Sequence, residues 1–455
     1  MSDSSTGGAG GAGGTGGACV PFEQFTHFGG LDWAQSEHQL VVVDPAGKIV
    51  LSLRFANDAP GWTLFRREVA AFGRLAVAIE TNCGPAVERL LEAGLTVYPM
   101  NPKAATRYRD RKAPSGAKDD ALDAWSFADA LRTDGHGWRA LLGQDPLTAE
   151  LRLLCRDEVK LIEQRTALVH QLKSALYEYY PAALDAFDDW TGGGGEGPWR
   201  FVVAFPTPEE LVKAGKRKWE KFLHAHKLYR PQTADRRLAS FAGAASFAGA
   251  AGFASPNPAV TRAKSLLAVT TAKQLSLLQS QLDEYRRRIV KLFGDHPDHD
   301  CFGSLPGAGA KLAPRLLSEL GSNREVFRSA EALQNYAGTS PVTKQSGRSR
   351  VVAVRRACNK TLRATIHLWA DLSRKSCVWA EAYYQNKRAA GMAHAAALRC
   401  LGHRWAKILW KMWQTGTPYD EAPHLKNQAE HGSWVIKLGA RARFNPLTPT
   451  TLNTA

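Results

Sequence analysis

The chain lacks any run of about 18 uninterrupted apolar residues, any Cys-x-x-Cys pair, and enough acidic residues to balance its basic ones. The first absence removes a membrane-spanning helix, and the Ser-, Gly-, Ala- and Thr-rich stretch from Ser2 to Ala18 lacks the basic start and apolar segment of an export signal. A cytoplasmic protein with a flexible tail and no membrane partner is expected. Seven cysteines, odd in number and scattered from Cys19 to Cys400, suggest neither a disulfide framework nor a zinc site, as befits a reducing compartment. The acidic deficit is large: 59 Lys and Arg against 43 Asp and Glu give a net charge of +16. That excess suits a protein that neutralises phosphates along a nucleic-acid backbone and fits poorly with an enzyme of small metabolites.

What is present is globular material. At 455 residues, 44% of them hydrophobic, the chain has length for about three domains of ~150 residues. Residues 25 to 55 read as a hairpin, with Phe28, Leu31 and Leu40 to Val43, a turn at Pro45-Ala46-Gly47, and a second strand from Ile49 to Leu53. A helix-like stretch from Trp62 to Gly73 leads to a buried strand, Leu75 to Ile79. A helix from Pro85 to Ala93, stopped by Gly94, and a strand from Thr96 to Pro99 follow. Parallel strands added to an antiparallel hairpin give an α/β domain over residues 25–146 in the RNase H-like (RuvC-like) order. Leu147 to Tyr180 and Thr261 to Phe293 carry apolar residues at helical spacing. They predict two long helices forming a coiled-coil arm over 147–300, with a globular bundle as the alternative. The low-complexity segment at about 190–260, with its Ser240-Phe241-Ala242-Gly243-Ala244-Ala245 repeat, reads as an inserted accessory lobe. Residues 301–420 predict a mainly helical, basic C-terminal domain, 1–24 a disordered tail, and 421–455 an irregular one.

Four acidic positions carry the chemistry of the first domain. Asp32 ends the first strand, Glu80 follows Leu75 to Ile79 directly, and Asp120 and Asp123 share a helical face at a spacing of three. Carboxylates gathered at strand ends suit Mg²⁺, with Mn²⁺ as the alternative ion, because such cations demand hard oxygen ligands and can stabilise attacking and leaving oxygens in phosphoryl transfer. Asp119 competes with Asp120, since Asp119 and Asp123 also share a face.

In the C-terminal half, Leu305-Pro306-Gly307-Ala308-Gly309 leading into a helix at Lys311 resembles a helix-hairpin-helix turn, whose backbone N–H groups can hold a phosphate; an ordinary interhelix turn fits equally well. Ser346 precedes Gly347 and a basic run containing Arg348, Arg350, Arg355, Arg356, Lys360 and Arg363. By itself such a serine is a loop residue. Trp369, Trp405, Trp410 and Trp413, on helical patterns, read as core, and His296, Asp298, His299 and Asp300 read as a solvated turn.

The segment Lys118-Asp119-Asp120-Ala121-Leu122-Asp123-Ala124 resembles the Lys-x-Asp-x-x-Asp-Ala motif of the DEDD transposases of insertion sequence family 110, relatives of the pilin-gene invertases. Asp32 in Leu31-Asp32-Trp33-Ala34 and Glu80 after its strand match that family's first two acidic positions. Tyr336-Ala337-Gly338, Gln345-Ser346-Gly347 and Arg355-Arg356-Ala357-Cys358-Asn359-Lys360-Thr361-Leu362-Arg363 follow its C-terminal domain in order. The resemblance covers about residues 25–180 and 261–420. It implies a recombinase in which Asp32, Glu80, Asp120 and Asp123 hold metal. It selects Ser346, among Ser340, Ser346 and Ser349, as a nucleophile forming a covalent protein–DNA intermediate. Gly307, Gly309, Lys311, Gly347 and the basic run would contact nucleic acid. It also implies donor and target DNA, a noncoding guide RNA, a dimer or tetramer, and a bacterial, nucleoid-associated location. The rivals are a RuvC-like nuclease using a metal-activated water, and a non-catalytic nucleic-acid-binding scaffold.

Overall fold

The structure is a computed structural model that describes residues 20–112, 119–141, 143, 145–193, 195–230, 233–240 and 257–430. The tail before residue 20, Lys118 of the acidic motif, the repeat from Phe241 on, and the segment after residue 430 lie outside them. Two compact units, Met1–Gly143 and Gln144–Ala455, divide the chain.

In the first unit, β1 (His27–Trp33), β2 (Glu37–Val43), β3 (Ile49–Ala56), β4 (Leu75–Ile79) and β5 (Thr96–Pro99) form one sheet in the order β3-β2-β1-β4-β5. The β1–β2 and β2–β3 pairs are antiparallel, whereas β1–β4 and β4–β5 are parallel. This mixed sheet is consistent with the RNase H-like order expected, with a third strand completing the predicted hairpin. Alternation along each strand sends its side chains to opposite faces. Leu31, Leu40, Val42, Val77 and Ile79 pack with α1 (Ala59–Val69) and α2 (Pro85–Glu92). Phe28, Val41, Val43, Ala76 and Ala78 pack with Ala124, Phe127, Ala128 and Leu131 of α4 (Asp120–Asp134). Between β5 and α4 runs α3 (Pro102–Lys112), whose Tyr108 hydroxyl donates to Asp134 at 2.6 Å.

Gly30 decides how close α4 comes to the sheet. A Cβ there would lie 2.0 Å from the Ala124 carbonyl oxygen and 2.6 Å from the Ala128 nitrogen, both backbone atoms. Glycine is therefore required where β1 and α4 touch. Gly30→Ala should destabilise this unit by about 3 kcal/mol, the upper range for overpacking, and lower its thermal midpoint; an unchanged melting curve would show that α4 can lift off β1 without cost.

The second unit is helical. α5 (Pro146–Tyr179) is followed by α6 (Pro181–Asp185), α7 (Gly197–Ala204), α8 (Pro208–Ala225), a helical segment over 233–240 (α9), and α10 (Pro258–Gly294). α5 and α10 run antiparallel, joined by Arg288–Glu150, Arg286–Glu158 and Lys264–Glu178 ion pairs. The chain between them builds a core of its own, in which Trp190, Trp199, Phe201, Trp219 and Phe222 pack with Leu172, Leu176, Ala272 and Leu275 of the long helices. At the opposite end, Leu151 and Cys155 of α5 and Ile289 and Phe293 of α10 join the C-terminal core.

That core is formed by α11 (His299–Gly303), α12 (Gly309–Leu320), α13 (Ala330–Tyr336), α14 (Lys360–Ser373), α15 (Val378–Ala389) and α16 (His394–Thr415). Trp369, Trp405 and Trp413 are fully buried in it, as expected for core residues. Glu158 of α5 is buried between Arg286 and Arg315, at 3.0 and 2.7 Å, so α5, α10 and α12 share one charged clasp. Two expectations change. His296 is buried and bonded to the Thr148 hydroxyl at 2.9 Å, and Asp298 pairs with Arg324, so this turn is a tie between distant segments rather than a solvated one. Residues 421–430, expected to be irregular, form α17 (Glu421–Glu430), with Asp420 accepting the Ala422 N–H.

Candidate catalytic carboxylates and serine hairpin

Asp32 and Glu80 owe their positions to register. β1 and β4 are parallel and pair Leu31 with Ile79, so the next residue on each chain, Asp32 and Glu80, lies at the same level where the strands end. Parity sets Asp32 on the face of Phe28 and Gly30, the α4 side of the sheet where Ala76 and Ala78 of β4 also pack, and Glu80 is the first residue beyond that strand. Both are half-buried. α4 begins at this end, with Asp120 exposed in its first turn and Asp123 buried just before the Ala124 contact with Gly30.

The competing aspartate also serves the helix itself. Asp119 is the N-cap of α4, its carboxylate accepting the Ala121 N–H at 3.3 Å. Asp123 accepts both contacts from one nitrogen of Arg109, at 2.9 and 3.0 Å. Sequence reading missed Arg109, which lies within the basic run from Arg107 to Arg111 and offers no signal that singles it out. Among the described residues no three carboxylate, imidazole or thiol side chains are drawn into a ready metal cage. The donor chemistry still fits a hard divalent cation, since only carboxylate oxygens are offered and two of them stand level on adjacent strands. Arg109 holds the place of positive charge at Asp123, so a cation binding there would exchange with it.

In the second unit the serine lies on a hairpin, within a region whose sequence predicts a basic, mainly helical domain. β6 (Val342–Ser346) and β7 (Ser349–Ala353) pair antiparallel with Ser346 opposite Ser349. The two-residue turn Gly347-Arg348 requires positive φ at its first position, and Gly347 supplies it at 54°. Ser346, Gly347, Arg348, Ser349 and Arg350 are all exposed, whereas Ser340 is buried ahead of the hairpin. Exposure thus leaves Ser346 and Ser349, on either side of one turn, within reach of a macromolecular substrate.

The remaining basic residues divide. Arg356 and Lys360 are exposed; Arg355 and Arg363 are half-buried, and Arg363 donates to the Arg355 carbonyl oxygen at 3.4 Å. Asn359, within the same motif, is structural: it caps α14 through the Leu362 N–H at 3.0 Å and donates to Glu319 at 2.6 Å. Burial would raise the pKa of Glu319, but hydrogen bonds and charge from Arg156, together with Asn359, hold it below the usual carboxylate range. The base of the basic run is thereby fixed to α12 and α5. Gly307 sits against α14, where a Cβ would come 2.7 Å from the Leu372 and Ser373 backbone, while Gly309 and Lys311 face outward at the start of α12.

Comparison with known proteins gives two family matches. Residues 29–181 match a DEDD transposase model of the IS110 type, and residues 299–385 match the transposase family IS116/IS110/IS902. A protein of Streptomyces coelicolor carrying the name of mini-circle transposase for IS117 is 32% identical over 405 residues, covering 88% of this chain and 96% of its own. The insertion element IS110 43.6 kDa protein of the same organism is 27% identical, covering 86% and 95%. The insertion element IS116 44.8 kDa protein of Streptomyces clavuligerus is 28% identical, covering 88% and 98%.

Proposed function

Since the chain belongs to the IS116/IS110/IS902 transposase family, enzymes that cleave and rejoin DNA, we propose that it does so with two chemistries: a carboxylate site in the first unit and the Ser346 hydroxyl in the second. The observation that supports this reading is the register that sets Asp32 and Glu80 level where β1 and β4 cease to pair, with Asp120 and Asp123 in the first turn of α4, the helix packed against β1. DEDD transposases of this kind use a divalent metal; we assign Mg²⁺, held by Asp32, Glu80, Asp120 and Asp123, which when bound supplies charge stabilisation at the attacking and leaving oxygens.

The serine attacks a DNA phosphodiester. Its oxygen forms a bond to phosphorus as the bond to the departing 3′ or 5′ oxygen breaks, the hydroxyl proton leaves with that departure, and a phosphoserine link to DNA results. Arg348 and Arg350 stand on the same exposed hairpin and can clamp the non-bridging oxygens. The reverse attack by a DNA hydroxyl rejoins a strand and frees the serine. Donor and target DNA are the substrates. A noncoding guide RNA, a nucleoid-associated location, a dimer that doubles to a tetramer at strand exchange, and an α5–α10 arm bridging partners complete the proposal, with residues 25–146, 147–300 and 301–420 as its working domains.

Incubation with element-end DNA followed by denaturation tests the reading. A protein–DNA adduct is expected; cut DNA without adduct would favour the water-using nuclease, and intact DNA the scaffold. The phosphate contacts are tested separately. Replacing Arg355 and Arg356 by Ala should lower the slope of log K against log salt by roughly 2, at about 0.9 per lost phosphate contact, and an unchanged slope would place those contacts elsewhere.

A further inference from the structure

At the base of the serine hairpin lies a cavity of about 400 Å³ lined by Gly338, Thr339, Val354, Arg363, Ala364, Ile366, His367, Leu398, Arg399 and Gly402. It exists because three segments meet there. Gly338, at φ 67°, lets the chain turn away from α13 where a Cβ would strike Cys358 at 2.6 Å. Gly402 lets α16 approach α14, since a Cβ there would lie 2.9 Å from Ile366. Thr339 lies three residues before β6 and Val354 directly follows β7, so the hairpin rises from the rim.

Its lining is divided by chemistry. Arg363 and Arg399 supply two half-buried guanidinium groups, and no carboxylate is among the lining residues. Asp371, one turn beyond His367 on α14, is engaged by Arg374 at 2.7 Å. Ile366 and Leu398 are buried core side chains that close the floor, and Val354, 47% exposed, offers the apolar surface at the mouth. His367 is held below its ordinary pKa, first by burial and then by Arg399 and His394, so at neutral pH it is an uncharged imidazole able to donate and accept. A cationic end, an apolar surface and a neutral polar edge in a volume within the small-ligand range match one nucleotide: phosphate, base face and base edge.

We propose that this cavity holds a single unstacked nucleotide of the DNA that Ser346 attacks, its phosphate on Arg363 and Arg399 and its base against Ile366, Leu398 and Val354. The assignment rests on the recombinase reading for its choice of DNA. β6 spans five residues, roughly 14 Å at 3.4 Å per step, so the held nucleotide lies about four stacked nucleotides from the serine at roughly 3.4 Å each, and fewer along an extended strand. Drawing one base out of the stack at this distance fixes the register of the scissile phosphate and opens the duplex beside it.

The test uses the full chain and 2′-deoxyadenosine 5′-monophosphate, its ribose counterpart and inorganic phosphate as probes, with saturation-transfer NMR as the readout. Saturable binding of the deoxynucleotide is expected, at least tenfold tighter than inorganic phosphate and no weaker than the ribonucleotide. Arg399→Ala and, at the exposed mouth, Val354→Glu should each weaken it tenfold or more with circular dichroism unchanged, while Lys411→Ala, exposed further along α16 and outside the cavity, leaves it intact. No saturable binding, phosphate bound as tightly as the nucleotide, a tenfold preference for the ribonucleotide, or indifference to both cavity variants would each overturn the proposal. Adduct formation without deoxynucleotide binding removes this site and leaves the recombinase reading standing; deoxynucleotide binding without an adduct does the opposite.

Discussion

Ser346→Ala is expected to abolish the covalent protein–DNA adduct and to reduce strand cleavage on the order of 10⁴-fold or more, the scale on which loss of a nucleophile acts. The expectation rests on placement. Ser346 is exposed at the end of β6, held by pairing with Ser349 across a turn that only Gly347 makes easily. Because the side chain touches no core, its loss should leave stability within about 0.5 kcal/mol, so inactivity cannot be blamed on unfolding. Ser349→Ala, across the same turn, serves as the matched control and should retain the adduct. Ser340→Ala should retain it as well, since Ser340 is buried before the hairpin begins. Peptide mapping of the trapped adduct checks the assignment directly. An adduct on Ser349, or one that survives in the Ser346 variant, would move the nucleophile or refute the covalent route.

The reasons some features were legible in the sequence, and others not, are physical. Leu75 to Ile79 is apolar throughout because β4 is an interior strand, between β1 and β5, with both faces covered, and its bounds were readable to the residue. The two long helices were readable because apolar residues recur at helical spacing over many turns, even though Glu158 of α5 and Thr271 and Gln279 of α10 interrupt the buried stripes. β6 and β7 left no such trace: Val342 to Ser346 and Ser349 to Ala353 are exposed on both faces, so no hydrophobic alternation is imposed on them. The helices α6 to α8 were hidden for another reason. Their tryptophans and phenylalanines pack singly between Gly and Pro breaks, and only the three-dimensional meeting of Trp199, Phe201 and Trp219 makes a core. His296 was misread because Pro297 and its acidic neighbours look like solvent-facing loop, while its partner Thr148 lies at the start of α5. For the carboxylates, strand ends and spacings of three or four leave Asp119 and Asp120 as alternatives in the sequence, and the structure adds that Asp119 caps α4 through the Ala121 N–H. Arg109 was invisible for the same reason, since pairing with Asp123 across two helices leaves no periodicity.

The capping bond makes the carboxylate assignment sharply testable. Asp32→Asn, Glu80→Gln, Asp120→Asn and Asp123→Asn should each lower DNA cleavage on the order of 10³-fold, because each removes a hard anionic ligand from a site worth several kcal/mol of transition-state charge stabilisation. Asp119→Asn should not. Asparagine caps a helix about as well as aspartate, so the Ala121 bond persists and activity should stay within a few-fold of the parent. Normal cleavage by the Asp120 variant with loss in the Asp119 variant would reverse the assignment. The same variants test whether carboxylates and serine act within one chain. If the assembled enzyme brings the serine unit of one protomer to the carboxylates of another, mixing Asp32→Asn with Ser346→Ala protein should restore part of the cleavage, since some mixed sites then hold both intact halves. Each variant alone remains inactive in that scheme, and activity should peak near equal proportions. A mixture that stays inactive while mixed oligomers are shown to form would mean that every protomer completes its own site, so that assembly on paired DNAs would not be what licenses the cut.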